Sequence, residues 1–201
     1  MLRVGLTGGL ATGKSLVGEH LARLGCHWIQ ADELGHEVLS PAHPVYEAVV
    51  REFGGEILCA DGSVDRKKLG AIVFDQPDRL ALLNSLIHPA VIRREEELIA
   101  AISARNPDAI VVLEAAILIE TGSFKRFDRL ILTVCDEETQ VQRAMKRSSL
   151  SREEVLARLR RQMPLVDKLP YADFVIDTSG PKEETQKKVA EVYRSLRSMQ
   201  S

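Results

Sequence analysis

Short runs that are apolar almost throughout alternate along this chain with longer stretches in which apolar residues recur every three or four positions. Residues 2–7, 27–31, 109–113, 129–134 and 174–176 are of the first kind, the pattern of strands buried on both faces. The spacing of Val17, Leu21 and Leu24 before Gly25 predicts a helix over residues 14–24, entered from the first strand through Gly8-Gly9. Helical patterns also separate the later strands, so the order predicts an α/β fold with a five-stranded parallel sheet. Ser151 to Glu154 has the S-x-x-E form of a capping box, Asp136 is placed to cap the helix after the fourth strand, and Pro181 suits a first helical turn.

About seventy residues lie between the second and third strands, far more than a parallel crossover requires. They carry helical patterns near 45–53, 67–74 and 78–105, the last containing Pro89, which should kink it. The expected organisation is one domain with its core at 1–33 and 107–201. A helical insertion at about 34–106 would shape a substrate pocket. No repeat or low-complexity tract interrupts the chain.

With 201 residues, 45% of them hydrophobic, the chain can bury one sizeable core. A formal net charge of −2 argues against the basic footprint of a nucleic-acid binder. The longest apolar stretch, residues 109–119, contains Glu114 and is too short to span a membrane. Cys26, Cys59 and Cys135 are odd in number and widely spaced, which suits a reducing compartment rather than a disulfide framework or zinc site. A cytoplasmic protein is expected, with no obligate protein partner indicated.

Residues 8–15 satisfy G-x-x-x-x-G-K-[ST], the phosphate-binding loop. Glycines let the backbone wrap a β-phosphate with its N–H groups turned inward, and the helix that follows presents its positive end. Lys14 would reach the β- and γ-phosphates, and the Ser15 hydroxyl would ligate Mg2+, so the cradle fits Mg-ATP. A chance match is expected in roughly one chain of this length in a hundred, and the placement between strand and helix lowers that further.

Other candidates carry a structural reading beside the functional one. Asp32, at the carboxyl edge of the second strand, could face both a γ-phosphate and an acceptor hydroxyl, or simply cap a helix starting at Glu33. From position 143 to 168 there are eight Lys or Arg against three Asp or Glu. Most would be a solvated face, but Arg143 and Arg147, spaced i, i+4, share one helix face and suit a lid over triphosphate. Glu114 could hold a magnesium-bound water, or serve as a cap or in an ion pair. The histidines lack metal-ligand spacing, and structural roles are expected for His20, His27 and His43.

At this point the sequence resembles the dephospho-coenzyme A kinase family along nearly its whole length. The resemblance rests on Gly5-Leu6-Thr7-Gly8-Gly9 running into Gly13-Lys14-Ser15, followed in order by Ala31-Asp32, Phe53-Gly54, Asp61-Gly62, Asp65-Arg66, Val73-Phe74 and His88-Pro89. It continues through residues 117–120, Gln140, Arg143, Arg147, Gln162, Ala172-Asp173 and Val175-Ile176-Asp177. Gln30, Ala11, Leu16, Ala116 and Thr178 depart from the family's usual residues, which are respectively aspartate, glycine, threonine, proline and asparagine.

The resemblance implies a P-loop kinase core with a helical acceptor-binding insertion and a helical lid at about 143–168. ATP, with Mg2+ on Ser15, would be held by Gly9, Ala11, Thr12, Gly13, Lys14, Ser15 and Leu16. Catalysis would fall to Asp32, Lys14, Arg143 and Arg147, and the acceptor, dephospho-coenzyme A, would meet Thr7, Asp32, His36 and Glu120. Arg66 and His88 would be acceptor-side or structural residues of the insertion. Another small-molecule or nucleoside monophosphate kinase would share the core and lid. A nucleotide switch is disfavoured by the absence of N-K-x-D and of a strand ending in D-x-x-G.

Overall fold

The computed structural model describes residues 1–74, 76–148 and 150–200, with Phe74 described by its backbone alone. Ser149, within the expected lid, and the side chain of Phe74 therefore lie outside the described residues. The chain divides into two compact units, Met1–Gln30 with Ile102–Ser201, and Ala31–Ala101.

The first unit is built on a five-stranded parallel sheet of order β2-β3-β1-β4-β5. Its strands are β1 (Leu2–Gly8), β2 (His27–Gln30), β3 (Ile110–Glu114), β4 (Arg129–Val134) and β5 (Phe174–Asp177). Every residue of β3 is buried and β1 nearly so, which is why both read as unbroken apolar runs. The chain leaves central β1 towards β2 and β3 on one side and later towards β4 and β5 on the other. The strand order thus reverses at the carboxyl end of β1, where open α/β sheets bind ligands.

Sheet pairing carries β3 one residue further than the apolar run suggests. Glu114 pairs with Leu6 of β1 and Gln30 of β2, so the ladder fixes its backbone from both sides. The helix α1 (Lys14–Arg23) lies beside α9 (Lys182–Ser198), and the two cover the sheet through Val17, Leu21, Val189, Val192 and Leu196. Asp136 caps α6 (Glu137–Ser148) by accepting from the Thr139 N–H at 2.8 Å, and the capping box at Ser151 opens α7 (Arg152–Leu159). Pro181 sits at the N-cap of α9, one place ahead of its first turn. A short α8 (Leu165–Lys168) leads towards β5.

The second unit holds α2 (Ala31–Glu37), α3 (Pro44–Phe53), α4 (Arg66–Phe74) and most of α5 (Pro77–Arg105). Val49, Phe53, Ile57, Leu69, Val73 and Leu83 form its own apolar core. The helix α5 continues through Pro89. His43 caps α3, its Nδ1 accepting the Val45 N–H at 3.2 Å. Among the described residues, no helix is long and apolar enough to cross a membrane.

Leu196 is fully buried where α9 meets the sheet core. Leu196→Ala is expected to destabilise the protein by about 2–5 kcal/mol, read from the urea unfolding midpoint at unchanged slope.

Candidate functional site

The turn between β1 and α1 is held almost entirely by uncharged groups. Gly13, at the N-cap of α1, has φ +83, a left-handed conformation that glycine adopts without strain, and no side chain caps the helix behind it. The first N–H groups of α1 are consequently left for an anion. Thr12 is fully buried, its hydroxyl 3.0 Å from the Gly9 carbonyl and 2.7 Å from the Thr133 hydroxyl on β4. The Leu10 N–H donates to Gln162 Oε1 at 2.8 Å, which fastens the loop to the segment after α7.

Lys14 extends along the loop and donates from Nζ to the Gly9 and Gly8 carbonyls at 2.9 and 3.3 Å. Ser15 donates its hydroxyl to Glu114 Oε1 at 3.1 Å, and the indole Nε1 of Trp28 donates to Glu114 Oε2, also at 3.1 Å. A hydroxyl and a carboxylate are thus brought together at the phosphate end of the loop. Both are hard oxygen donors of the kind Mg2+ takes in small number, completing its shell with phosphate and water. No group of three or more His, Cys, Asp or Glu suited to a metal exists among the described residues.

Ala11 is in the left-handed region at φ 57, a conformation costing a side-chain-bearing residue on the order of 1 kcal/mol. Its methyl group and Leu10 pack on the apolar cluster of Val141, Ala144 and Val155 between α6 and α7. The position thus explains why the resembling family usually has glycine there, and the packing shows what the methyl contributes in exchange.

Arg143 does not reach out from α6. Its guanidinium donates to the Thr178 hydroxyl at 3.0 Å and to the Thr178 carbonyl at 2.6 Å, and that hydroxyl in turn donates to the Thr12 carbonyl at 2.9 Å. Thr178 therefore links an arginine expected in a lid to the backbone of the phosphate loop. Arg147, one turn further along α6, is exposed. Arg143 also partly offsets the effect of burial on Cys135, whose thiol is pushed above its ordinary value chiefly by desolvation.

Thr7 is fully buried, and its hydroxyl donates to the Ala116 carbonyl at 3.3 Å. Glu120 forms an ion pair with Lys168 at 2.7 Å, and Lys168 also donates to the Ala116 carbonyl at 3.3 Å. Lys168 belongs to the basic stretch read as a solvated face, yet its side chain is 0% exposed. The carboxylate and the carbonyl together make that burial tolerable. Sequence pattern gave no signal for it, because a lysine at the end of a charged run looks the same whether it points out or in.

Asp32, His36, Arg66 and His88 lie in the second unit. Asp32 falls inside the first turn of α2, so the helix does not start at Glu33 and Asp32 is not its N-cap. Among the described residues no hydrogen bond or ion pair is made to its carboxylate. Burial, and then the Arg66 guanidinium, lower the His36 pKa, with Asp32 and Glu33 pulling the other way, so these residues share one electrostatic neighbourhood. Burial lowers that of His88.

The sequence model of dephospho-CoA kinases matches residues 2–184. This chain belongs to the dephospho-CoA kinase family. The dephospho-CoA kinase of Aquifex aeolicus is 41% identical over 196 residues, 98% of each chain. That of Geobacter metallireducens is 42% identical over 195 residues, 96% of each. The solved dephospho-CoA kinase from Campylobacter jejuni superposes with a TM-score of 0.73 at 26% identity, covering 99% of this chain and 98% of that one. Shikimate kinase from Aquifex aeolicus, with a TM-score of 0.54 at 14% identity over the full length of both chains, shares the fold. Family membership makes the protein a kinase that uses ATP on a small-molecule acceptor.

The link from Arg143 through Thr178 to Thr12 is open to test. Thr178→Val keeps the shape but strands a buried carbonyl and a guanidinium N–H. The expected loss is about 1–3 kcal/mol in urea unfolding, with weakened ATP binding by calorimetry. A purely packing role for Thr178 would leave both unchanged.

Proposed function

We propose that this protein transfers the terminal phosphoryl group of ATP to the ribose 3′-hydroxyl of dephospho-coenzyme A, giving coenzyme A and ADP, the last step of coenzyme A biosynthesis. The observation that carries the reading is the uncapped start of α1, with Lys14 and the Ser15–Glu114 pair placed on it, in a chain of this family. The core at 1–33 and 107–201, the acceptor-binding insertion at 34–106 and the lid at 143–168 are the corresponding division of labour.

In this reading the backbone N–H groups of Gly9, Ala11, Thr12, Gly13, Lys14, Ser15 and Leu16 receive the phosphates, while that of Leu10 stays on Gln162. Lys14 leaves the Gly8 and Gly9 carbonyls for phosphate oxygens. The fit of Ser15 and Glu114 to a hard divalent cation assigns them to Mg2+, which when bound neutralises charge on the β- and γ-phosphates. Asp32 receives the acceptor hydroxyl and takes its proton late, as a loose transition state allows. His36, Arg66 and His88 line the acceptor side of the second unit. Thr7 and Glu120 act on the acceptor side through the backbone that follows β3. Arg143 steadies the loop, and Arg147 meets the charge of the transferring group. The reduced thiols of Cys26, Cys59 and Cys135 suit a cytoplasmic site of action.

The direct test is incubation of the pure protein with Mg-ATP and dephospho-coenzyme A. The product should gain one phosphate at the ribose 3′ position, by mass and by site of modification. A product phosphorylated elsewhere, or consumption of ATP indifferent to the acceptor, would refute the assignment. Asp32→Asn should lower turnover roughly a hundredfold or more while both substrates still bind, since the amide cannot accept the proton. Arg147→Ala should reduce kcat more than it raises KM for the acceptor in steady-state kinetics.

A further inference from the structure

One cluster in the first unit is organised by a residue that the reaction does not call for. Trp28, on β2, is the single tryptophan of the chain, and its indole N–H holds Glu114 Oε2 while Ser15 occupies Oε1. The indole can reach only because it crosses α1 at Gly18. A Cβ on Gly18 would stand 2.4 Å from both Nε1 and Cε2, closer than any real contact. Ser15 and Gly18 are three residues apart on α1 and therefore share the face turned to this carboxylate. Elements β2, α1 and β3 converge on one side chain, whose backbone the ladder already fixes.

The chemistry of the donor matters. An indole N–H donates one hydrogen bond and carries no charge, so it orients the carboxylate without neutralising it, as a lysine or arginine would. A serine hydroxyl that turns its lone pairs to a cation must send its proton elsewhere, and Glu114 Oε1 is placed to accept it. Partners of this kind, behind the ligands themselves, commonly decide how tightly a cation is held.

We propose that Trp28 is a positioning residue for the divalent-cation site, acting through Glu114 on Ser15, with Gly18 as the gap that admits it. This rests on the assignment of Ser15 and Glu114 to Mg2+ made above. As the sole indole of the protein, Trp28 is also a built-in optical reporter of that site.

Two measurements test it. In the wild-type protein saturated with ADP, Mg2+ is titrated while indole emission is followed. A saturable change is expected that Glu114→Gln loses although ADP still binds. In Trp28→Phe, the magnesium concentration for half-maximal activity should rise about tenfold or more. ADP binding in EDTA should stay as in the wild type, and KM for dephospho-coenzyme A should move by less than about twofold. Unchanged magnesium dependence in Trp28→Phe, with a shifted dependence in Glu114→Gln, overturns the role of Trp28 alone. Unchanged dependence in Glu114→Gln overturns the cation assignment itself. The emission titration uses the wild-type protein, so wild-type emission indifferent to Mg2+ overturns the proposal even where Trp28→Phe fails to fold.

Discussion

A helix that begins with no side chain over its first N–H groups leaves those donors to be satisfied from outside, and α1 begins that way. Much of the first unit is arranged to keep that end bare and aimed. Central β1 delivers the chain to it, left-handed Gly13 turns the backbone into it, and the reversal of strand order falls at the same carboxyl edge of the sheet. Positive potential at this point comes from the backbone, and Lys14 adds to it.

The turn is held mostly by neutral hydrogen bonds. Thr12 meets Thr133, Leu10 meets Gln162, and Thr178 joins Arg143 to the Thr12 carbonyl. Hydroxyls and amides are well suited to this, since they fix the loop without competing for its charge. Arg143 is tied into the network by its two bonds to Thr178. A different device holds the edge after β3, where fully buried Lys168 gathers Glu120 and the Ala116 carbonyl. Thr7 bonds the same carbonyl from β1, so a fully buried hydroxyl and a fully buried ammonium define that corner together.

The fold was readable because its strands are buried on both faces, so their sequences are unbroken apolar runs, and because the loop motif fixes residue types at every critical place. Strand ends were off by one where pairing with neighbours outlasts the apolar run, as at Glu114. Ser15 and Lys14 could be named from the motif. Thr178 could not be linked to Thr12, since the two are 166 positions apart and neither is unusual locally. Trp28 escaped notice for a related reason: its meaning depends on a glycine across α1 and a carboxylate on another strand. Asp32 read as a helix cap or a functional carboxylate until the start of α2 at Ala31 put it inside the first turn.

The hold of Lys14 on the Gly8 and Gly9 carbonyls bears on traffic through the site. An ammonium group stripped of water is costly, and one already held by two carbonyl dipoles has exchanged part of its hydration before any nucleotide arrives. Entry of a polyphosphate then trades one set of oxygen partners for another. On departure of the product the carbonyls take the cation back, so release does not leave the ammonium without oxygen partners. The loop thus carries its own leaving partner, and the cycle of filling and emptying runs as an exchange between two sets of oxygen partners for one lysine.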